Sequence, residues 1–320
     1  VTSGPPPIRT VLGPRTLPAG GIVEAHGHLW ISRVPGGAAE APVLDDEAAI
    51  RAELGAFARA GGSAVIDCQP GGCGRDVSVL ARLARDTGVA VVAATGFHLR
   101  RYYPEGASPW DRSADQLTDH FLTELRVGAN GGRGPGGIRA GIVKAAHPGT
   151  LGADVRRMFT AAAAAATAAG VVLVIHTERG ADVEALAEFL LGLDLSSEDV
   201  MLCHVDKRPD LALHRELAQA GFLLEYDTFL RPKYEPERNV WPLVDAMLAE
   251  GHGASVACAL DLADRALWRF GGDPVGMDGL PTVVAGGLRA RGASDEQVAQ
   301  LTGGNVVARL QDATARRVAA

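Results

Sequence analysis

GIVEAHGHLWIS, residues Gly21–Ser32, sets an apolar pair, Ile22 and Val23, just ahead of two histidines, His26 and His28. In a strand, residues two apart point to the same face, so the two imidazoles would stand side by side. Neutral imidazoles paired in this way suit a divalent transition metal. A lone His-x-His also occurs as two surface histidines in a loop. The weight therefore falls on how the later strands end.

Working outward, short apolar or β-branched runs recur at 63–67 (SAVID), 89–94 (VAVVAA), 138–143 (IRAGIV), 171–175 (VVLVI), 199–203 (DVMLC), 221–225 (GFLLE) and 254–260 (ASVACAL). With 21–26 they make eight. Amphipathic stretches of helical length separate them, among them 45–60, 75–86, 152–169, 181–192, 236–250 and 283–291. Asp45 and Asp182 open such stretches, and Gly61, Gly88, Gly170 and Gly221 close them, in keeping with the usual cap asymmetry. Alternating strands and helices predict parallel βαβ units, and the unbroken apolar runs fit strands covered on both faces. Eight such units close a (β/α)8 TIM barrel, an α/β fold. A doubly wound open sheet is the alternative, but no GxGxxG follows the first strand. Residues 1–20 hold five of the 18 prolines and read as an irregular lead-in. The barrel then occupies 21–310 as one domain, and 311–320 form a C-terminal tail. Gly-rich 128–137 reads as a flexible loop before the fourth strand, and Ala161–Ala166 as helix.

At 47% hydrophobic and 22% charged residues, the composition is that of an ordinary globular protein. A net charge of −7 argues against general binding to nucleic acid or anionic membrane. No apolar run is long enough to span a membrane, and the first residues lack a signal-peptide pattern, so a cytoplasmic location is expected. The four cysteines, Cys68, Cys73, Cys203 and Cys258, have no zinc-knuckle spacing and read as reduced, mostly buried thiols. A Cys68–Cys73 bridge is the lesser alternative.

In a (β/α)8 barrel the active site gathers at the carboxyl ends of the strands. There strand one offers His26 and His28, strand four Lys144, strand five His176, strand six His204 and strand eight Asp261. Each has a plain reading taken alone, as a capping aspartate, a satisfied core histidine or a snorkelling lysine. Five strands agreeing on one rim point to a site.

This ordered set resembles the phosphotriesterase family of the amidohydrolase superfamily, over about Gly21 to Leu310. GGCGRDVSVL (71–80), AATGFH (93–98) and NVVARL (305–310) support the likeness. The resemblance implies a barrel with two divalent metal ions, usually zinc. One ion would be held by His26, His28 and Asp261 and the other by His176 and His204, with carboxylated Lys144 bridging both. An ammonium group cannot donate a lone pair to a cation, whereas its carbamate offers one oxygen to each. Many relatives carry Glu between the two first-strand histidines, where this chain has Gly27. That middle residue points away from the site, so altered outer packing is expected. The chemistry implied is hydrolysis by a metal-bridging hydroxide, with Asp261 accepting and returning the proton.

The loops after strands seven and eight are basic, and Arg231, Lys233, Tyr234 and Arg265 are the expected contacts for an anionic group. Together with CHVDKRPD (203–210), they resemble the branch that opens phosphorylated sugar lactones. The leading expectation is thus a binuclear lactonase. Phosphotriester or N-acyl amine hydrolysis on the same centre is the alternative, and a catalytically inactive metal-binding barrel the alternative of another class. A small-molecule substrate is the expected partner, with neither nucleic acid nor membrane, and a homodimer is compatible. His98, His147, His214 and His252 read as structural. Arg100, Arg101, Tyr102 and Tyr103 are candidates to line the pocket. Trp110, Trp241 and Trp268 read as pocket walls or loop anchors, and Arg179 as a substrate contact or helix cap.

Overall fold

A computed structural model describes residues 5–18, 20–106, 109–129 and 137–319. Eight parallel strands pair in chain order: β3 (Ile22–Gly27), β4 (Gly62–Asp67), β5 (Ala90–Gly96), β6 (Ile142–His147), β7 (Leu173–Thr177), β8 (Val200–Cys203), β9 (Leu223–Tyr226) and β10 (Val256–Cys258). Between them run α1 (Glu47–Arg59), α2 (Val77–Thr87), α3 (Ala114–Arg126), α4 (Ala153–Ala169), α5 (Val183–Leu191), α6 (Leu211–Gln219) and α7 (Val240–Ala249). Three further helices, α8 (Ala285–Ala290), α9 (Asp295–Ala299) and α10 (Asn305–Ala319), complete the chain. The sheet curls into a nearly closed (β/α)8 barrel. Across the seam between β3 and β10, the buried Glu24 carboxylate accepts from Leu260 N at 3.0 Å and from His26 N at 3.2 Å.

Helix ends follow the chemistry of their residues. Asp76 accepts from Ser78 N and Val79 N at the start of α2, and Gly88 and Gly170 end α2 and α4 in the left-handed conformation. Two apolar layers result. Leu54, Phe57, Leu80 and Val65 belong to the one between helices and sheet. Ala64, Ile66, Val92, Ile142, Val174 and Cys203 belong to the one inside the barrel.

Three boundaries differ from expectation. The lead-in contains a hairpin, β1 (Ile8–Thr10) and β2 (Gly13–Arg15). It tolerates its proline-rich surroundings because Val11 N donates to Val91 O at 2.8 Å, docking it on the barrel. The expected tail is the second half of α10. The fourth strand starts at Ile142, not 138, because Ala140 N is taken by Glu124 O of α3. Lys144 therefore lies inside a strand instead of at its end. Residues 1–4 and 19 of the lead-in, 130–136 of the Gly-rich loop and 320 of the tail lie outside the described residues. All four cysteines are free and buried. Among the described residues no helix is long and apolar enough to cross a membrane.

The first barrel strand carries a bulge. Glu24 pairs with Val65 but Gly27 with Asp67, three steps on β3 against two on β4. A bulge re-aims the side chains beyond it. Val23 and Ala25 pack inside the barrel, and past the bulge His26 and His28 also turn to the interior. Gly27 falls on the outer side, where an added Cβ would meet Val65 Cγ1 at 2.4 Å. Val65 thus fills the space that a side chain between the histidines would need. Gly27→Ala should cost about 1–3 kcal/mol through overpacking. In urea unfolding, adding Val65→Ala should recover part of that loss, so that the double variant is more stable than the sum of the two single effects predicts.

Candidate metal centre

The six expected residues meet at the carboxyl end of the barrel. His26 Nε2 lies 3.2 Å from Lys144 Nζ and 3.9 Å from Asp261 Oδ1, and His28 Nε2 is 3.5 Å from the same oxygen. The His204 ring centroid is 4.6 Å from that of His26 and 4.7 Å from that of His176. His26, His204 and Asp261 each present a ligand atom within 4.8 Å of the others. His204 and Asp261 hold left-handed backbone, with φ of 66° and 48°. Non-glycine residues adopt that conformation at a cost, and such strain concentrates at functional sites.

Three of the four imidazoles are anchored through Nδ1. Gln69 Oε1 holds His28 at 2.9 Å, Glu225 Oε2 lies 3.4 Å from His26, and Asp227 hydrogen-bonds His204. An acceptor on Nδ1 fixes the tautomer that leaves Nε2 with its lone pair free, as metal-ligating histidines require. The fourth, His176, has its buried Nε2 without a hydrogen-bond partner. Glu178 Oε2, at 3.6 Å, is too far to supply one. Burial, reinforced by the Lys144 ammonium, holds His26 well below the usual histidine range, and burial with Lys207 does the same for His204. Neutral, preoriented nitrogens beside a carboxylate fit divalent metal ions.

Lys144 is completely buried, and among the described residues no carboxylate comes within ion-pair distance of it. Its strand is pressed against β5 at Gly96, where an added Cβ would lie 1.9 Å from Lys144 O. Only glycine, with φ of +110°, fits there.

The expected substrate contacts are not brought together. Arg231 is drawn under Asp261: its Nη2 donates to the Asp261 and Leu260 carbonyls and lies 3.2 Å from Asp261 Oδ2. Its charge is spent on holding the Asp261 turn. Lys233 lies over the Tyr234 ring, 5.0 Å from its centroid, and Arg265 over Phe270 at 4.9 Å. None of the four lines the cavity beside the histidines. That cavity, about 160 Å³, is lined by His28, His176, His204 and Asp261. Ser32, Arg33, Val34, Pro42 and Val43 from the loop after β3 line it too, with His98 and Tyr102.

The sequence model of the phosphotriesterase family matches residues 6–306. The chain belongs to the phosphotriesterase family. It is a metal-dependent hydrolase of that family. An N-acetyltaurine hydrolase from Tetraodon nigroviridis is 27% identical over 277 residues, covering 80% of this chain and 75% of that protein. A phospho-furanose lactonase from Mycoplasmopsis agalactiae is 28% identical over 248 residues, covering 72% and 69%. A crystal structure of a lactonase from Listeria monocytogenes shares the fold, with a TM-score of 0.85 and 21% identity, covering 95% of this chain and 98% of that one.

Against this family background, several residues of the site escape a reading of strand ends. His98 lines the cavity, its ring 5.0 Å from that of His176, where a structural role had been expected. Gln69 lies two residues beyond β4, and nothing in its neighbours marks it. Glu225 and Asp227 did carry a signal, two carboxylates alternating through the apolar run LLEYDTF. Lys207, largely covered, lies 3.3 Å from Asp227 Oδ1 and 3.8 Å from Asp261 Oδ2 and is the cation these two aspartates share. Other expectations hold: His214 is bound to Tyr226 Oη and to backbone carbonyls. Trp268 anchors its loop by donating to Leu262 O at 2.8 Å. Gln69→Ala, which frees His28 Nδ1, should weaken divalent-metal affinity about ten- to hundredfold. Competition with a chelator of known affinity measures it, and unchanged affinity would remove Gln69 from the site's support.

Proposed function

We propose that this chain is a two-metal lactonase whose substrate carries an anionic group, with His26, His28 and Asp261 on one metal ion and His176 and His204 on the other. The observation that carries this reading is the convergence of four imidazoles, Asp261 and a buried lysine around one cavity. Two divalent ions held there would activate water and polarise the substrate carbonyl. Lys144, carboxylated by carbon dioxide, would bridge them. A buried ammonium with no carboxylate beside it is poorly stabilised, whereas the carbamate is an anion placed among metal ligands.

The chain's own residues then divide the work. Asp261 Oδ1 faces His26 and His28, while Oδ2 faces Arg231 and Lys207, so the carboxylate is held at both ends. From there it would accept the proton of the attacking water and return it to the leaving oxygen. His98 and Tyr102 wall the cavity, and the Val34–Val43 side covers the apolar body of the substrate. Arg33 lines the same cavity and has no carboxylate partner among the described residues. It would receive the substrate's anionic end, in place of the loops after β9 and β10. The names of two relatives support this: a phospho-furanose and N-acetyltaurine both end in a tetrahedral oxyanion. Hydrolysis of an N-acyl amine bearing such a group is the second reading, favoured by the N-acetyltaurine hydrolases among the relatives.

The purified protein should contain about two divalent ions per chain by elemental analysis, after growth with zinc. Lys144→Ala should abolish turnover, and short carboxylic acids should partly restore it. Full activity of that variant without added acid would exclude the bridging role. Phosphorylated and unphosphorylated lactones and N-acyl aminosulfonates assayed side by side separate the two substrate readings. A charged donor to phosphate contributes about 1.5–3 kcal/mol, roughly ten- to a hundredfold in kcat/KM. Arg33→Ala should lose that factor on the anionic substrate and almost nothing on the uncharged one. Equal losses on both would assign Arg33 to the loop's structure.

A further inference from the structure

The opposite face of the barrel carries a second concentration of charge that the hydrolytic site does not use. A cleft of about 730 Å³ is lined by Arg9, Arg85, Arg126 and Arg139, together with Thr10–Gly13, Val127 and Ile138. It is built from β1, the C-terminal ends of α2 and α3 and the segment leading into β6. It therefore lies at the amino ends of the strands, away from His26 and Asp261. We propose that this cleft is a binding site for a phosphate group, gripped by Arg9, Arg85, Arg126 and Arg139.

The charge balance is the first support. The chain has 38 acidic and 31 basic residues, counting lysine and arginine, and several arginines elsewhere are paired with carboxylates. Arg51 and Arg82 share Glu47, Arg208 holds Glu184 and Arg215 holds Glu250. Among the described residues no carboxylate lies within ion-pair distance of any of the four cleft arginines. Arg9 is also set against Arg139 closely enough that burial and that neighbour's charge together lower its pKa. Like charges gathered in one cleft with no carboxylate among them make its potential positive and favour the arrival of an anion.

Capping of helix ends accounts for only part of the cluster. Cations near helix C-termini are favourable, and two of the arginines do serve there. Arg9 Nη1 donates to Leu125 O at 3.1 Å and Ala140 O at 3.3 Å, and Arg126 Nη2 donates to Ala168 O at 2.7 Å. These bonds fix both guanidinium groups beside the cleft. Arg85 and Arg139 donate to no protein acceptor among the described residues, and both are exposed. Two fixed and two free planar forks suit a tetrahedral oxyanion, which accepts paired N–H donors from several sides. Leu12 and Val127, 49% and 59% exposed, stand on the rim. The phosphate could therefore be carried on a soluble metabolite or on a lipid headgroup.

The test uses the metal-loaded protein and the double variant Arg85→Gln/Arg139→Gln. Equilibrium dialysis with labelled inorganic phosphate at fixed ionic strength counts sites, one class of which is expected at the metal centre. The wild type should show a further site, weakened at least tenfold in the variant. Lactone turnover and metal content should be equal in the two proteins, which also shows that the variant folds. In a second arm, flotation with phosphatidic-acid vesicles is compared with phosphatidylcholine vesicles. Arginine-dependent capture by the acidic vesicles, without an extra free-phosphate site, would support the site and assign its source to a headgroup. Phosphate binding identical in both proteins, with no arginine-dependent vesicle capture, would overturn the proposal.

Discussion

Lys144 Nζ lies 3.2 Å from His26 Nε2 in the interior of the barrel, with no water-exposed surface. Charge in such a place must be balanced locally, because desolvation there costs several kcal/mol per ion. The other polar residues of the carboxyl end obey the same constraint. Histidines nearby are kept neutral, Glu225 is pushed well above the usual carboxylate range by burial and by Asp227, and Glu24 is pushed up to about 8 by burial. Where a carboxylate does stay ionised, as at Asp261, it has Arg231 and Lys207 beside it. A cavity lined by lone pairs and matched charges is thereby held ready for cations without a packed apolar core beneath it being disturbed.

The barrel was legible because its evidence is repeated. Eight apolar runs at regular spacing agree with one another, so a four-residue error at 138–143 left the topology intact. The residues of the candidate metal centre were legible for the same reason: each stands at or near the end of a run, and the period-two rule brings them to one side. That rule would also have put Glu24 with His26. The bulge breaks the alternation between them, and no residue in VEAHG announces it.

The cavity's lining by the loop after β3 was not legible, and the cause lies in loop geometry. Arg231, Lys233 and Arg265 looked like anion receptors because they are basic and follow the right strands. A loop charge is available to a ligand only if the protein does not take it first, and Asp261 takes Arg231. Arg33 carried no such signal, since it lies seven residues past His26 in a segment of Pro, Gly and Ala. Its position depends on how Ile31 and Leu44 pair across the loop, with Ile31 N to Leu44 O at 2.9 Å. Contacts of that range are decided by tertiary packing, not by local pattern.

The seam at Glu24 bears on how the chain assembles. β3 and β10 are the neighbouring strands farthest apart in sequence, with more than two hundred residues of chain between them. Joining ends so far apart is slow, because the loop entropy is spent before any contact returns it. A backbone ladder would have to zip along both edges at once. A single carboxylate accepting from Leu260 asks only that one residue on each side arrive. The two halves of the catalytic end, the His-x-His strand and the Asp261 turn, are therefore latched by a side chain. Closure of the barrel and completion of the site therefore rest on the same contact.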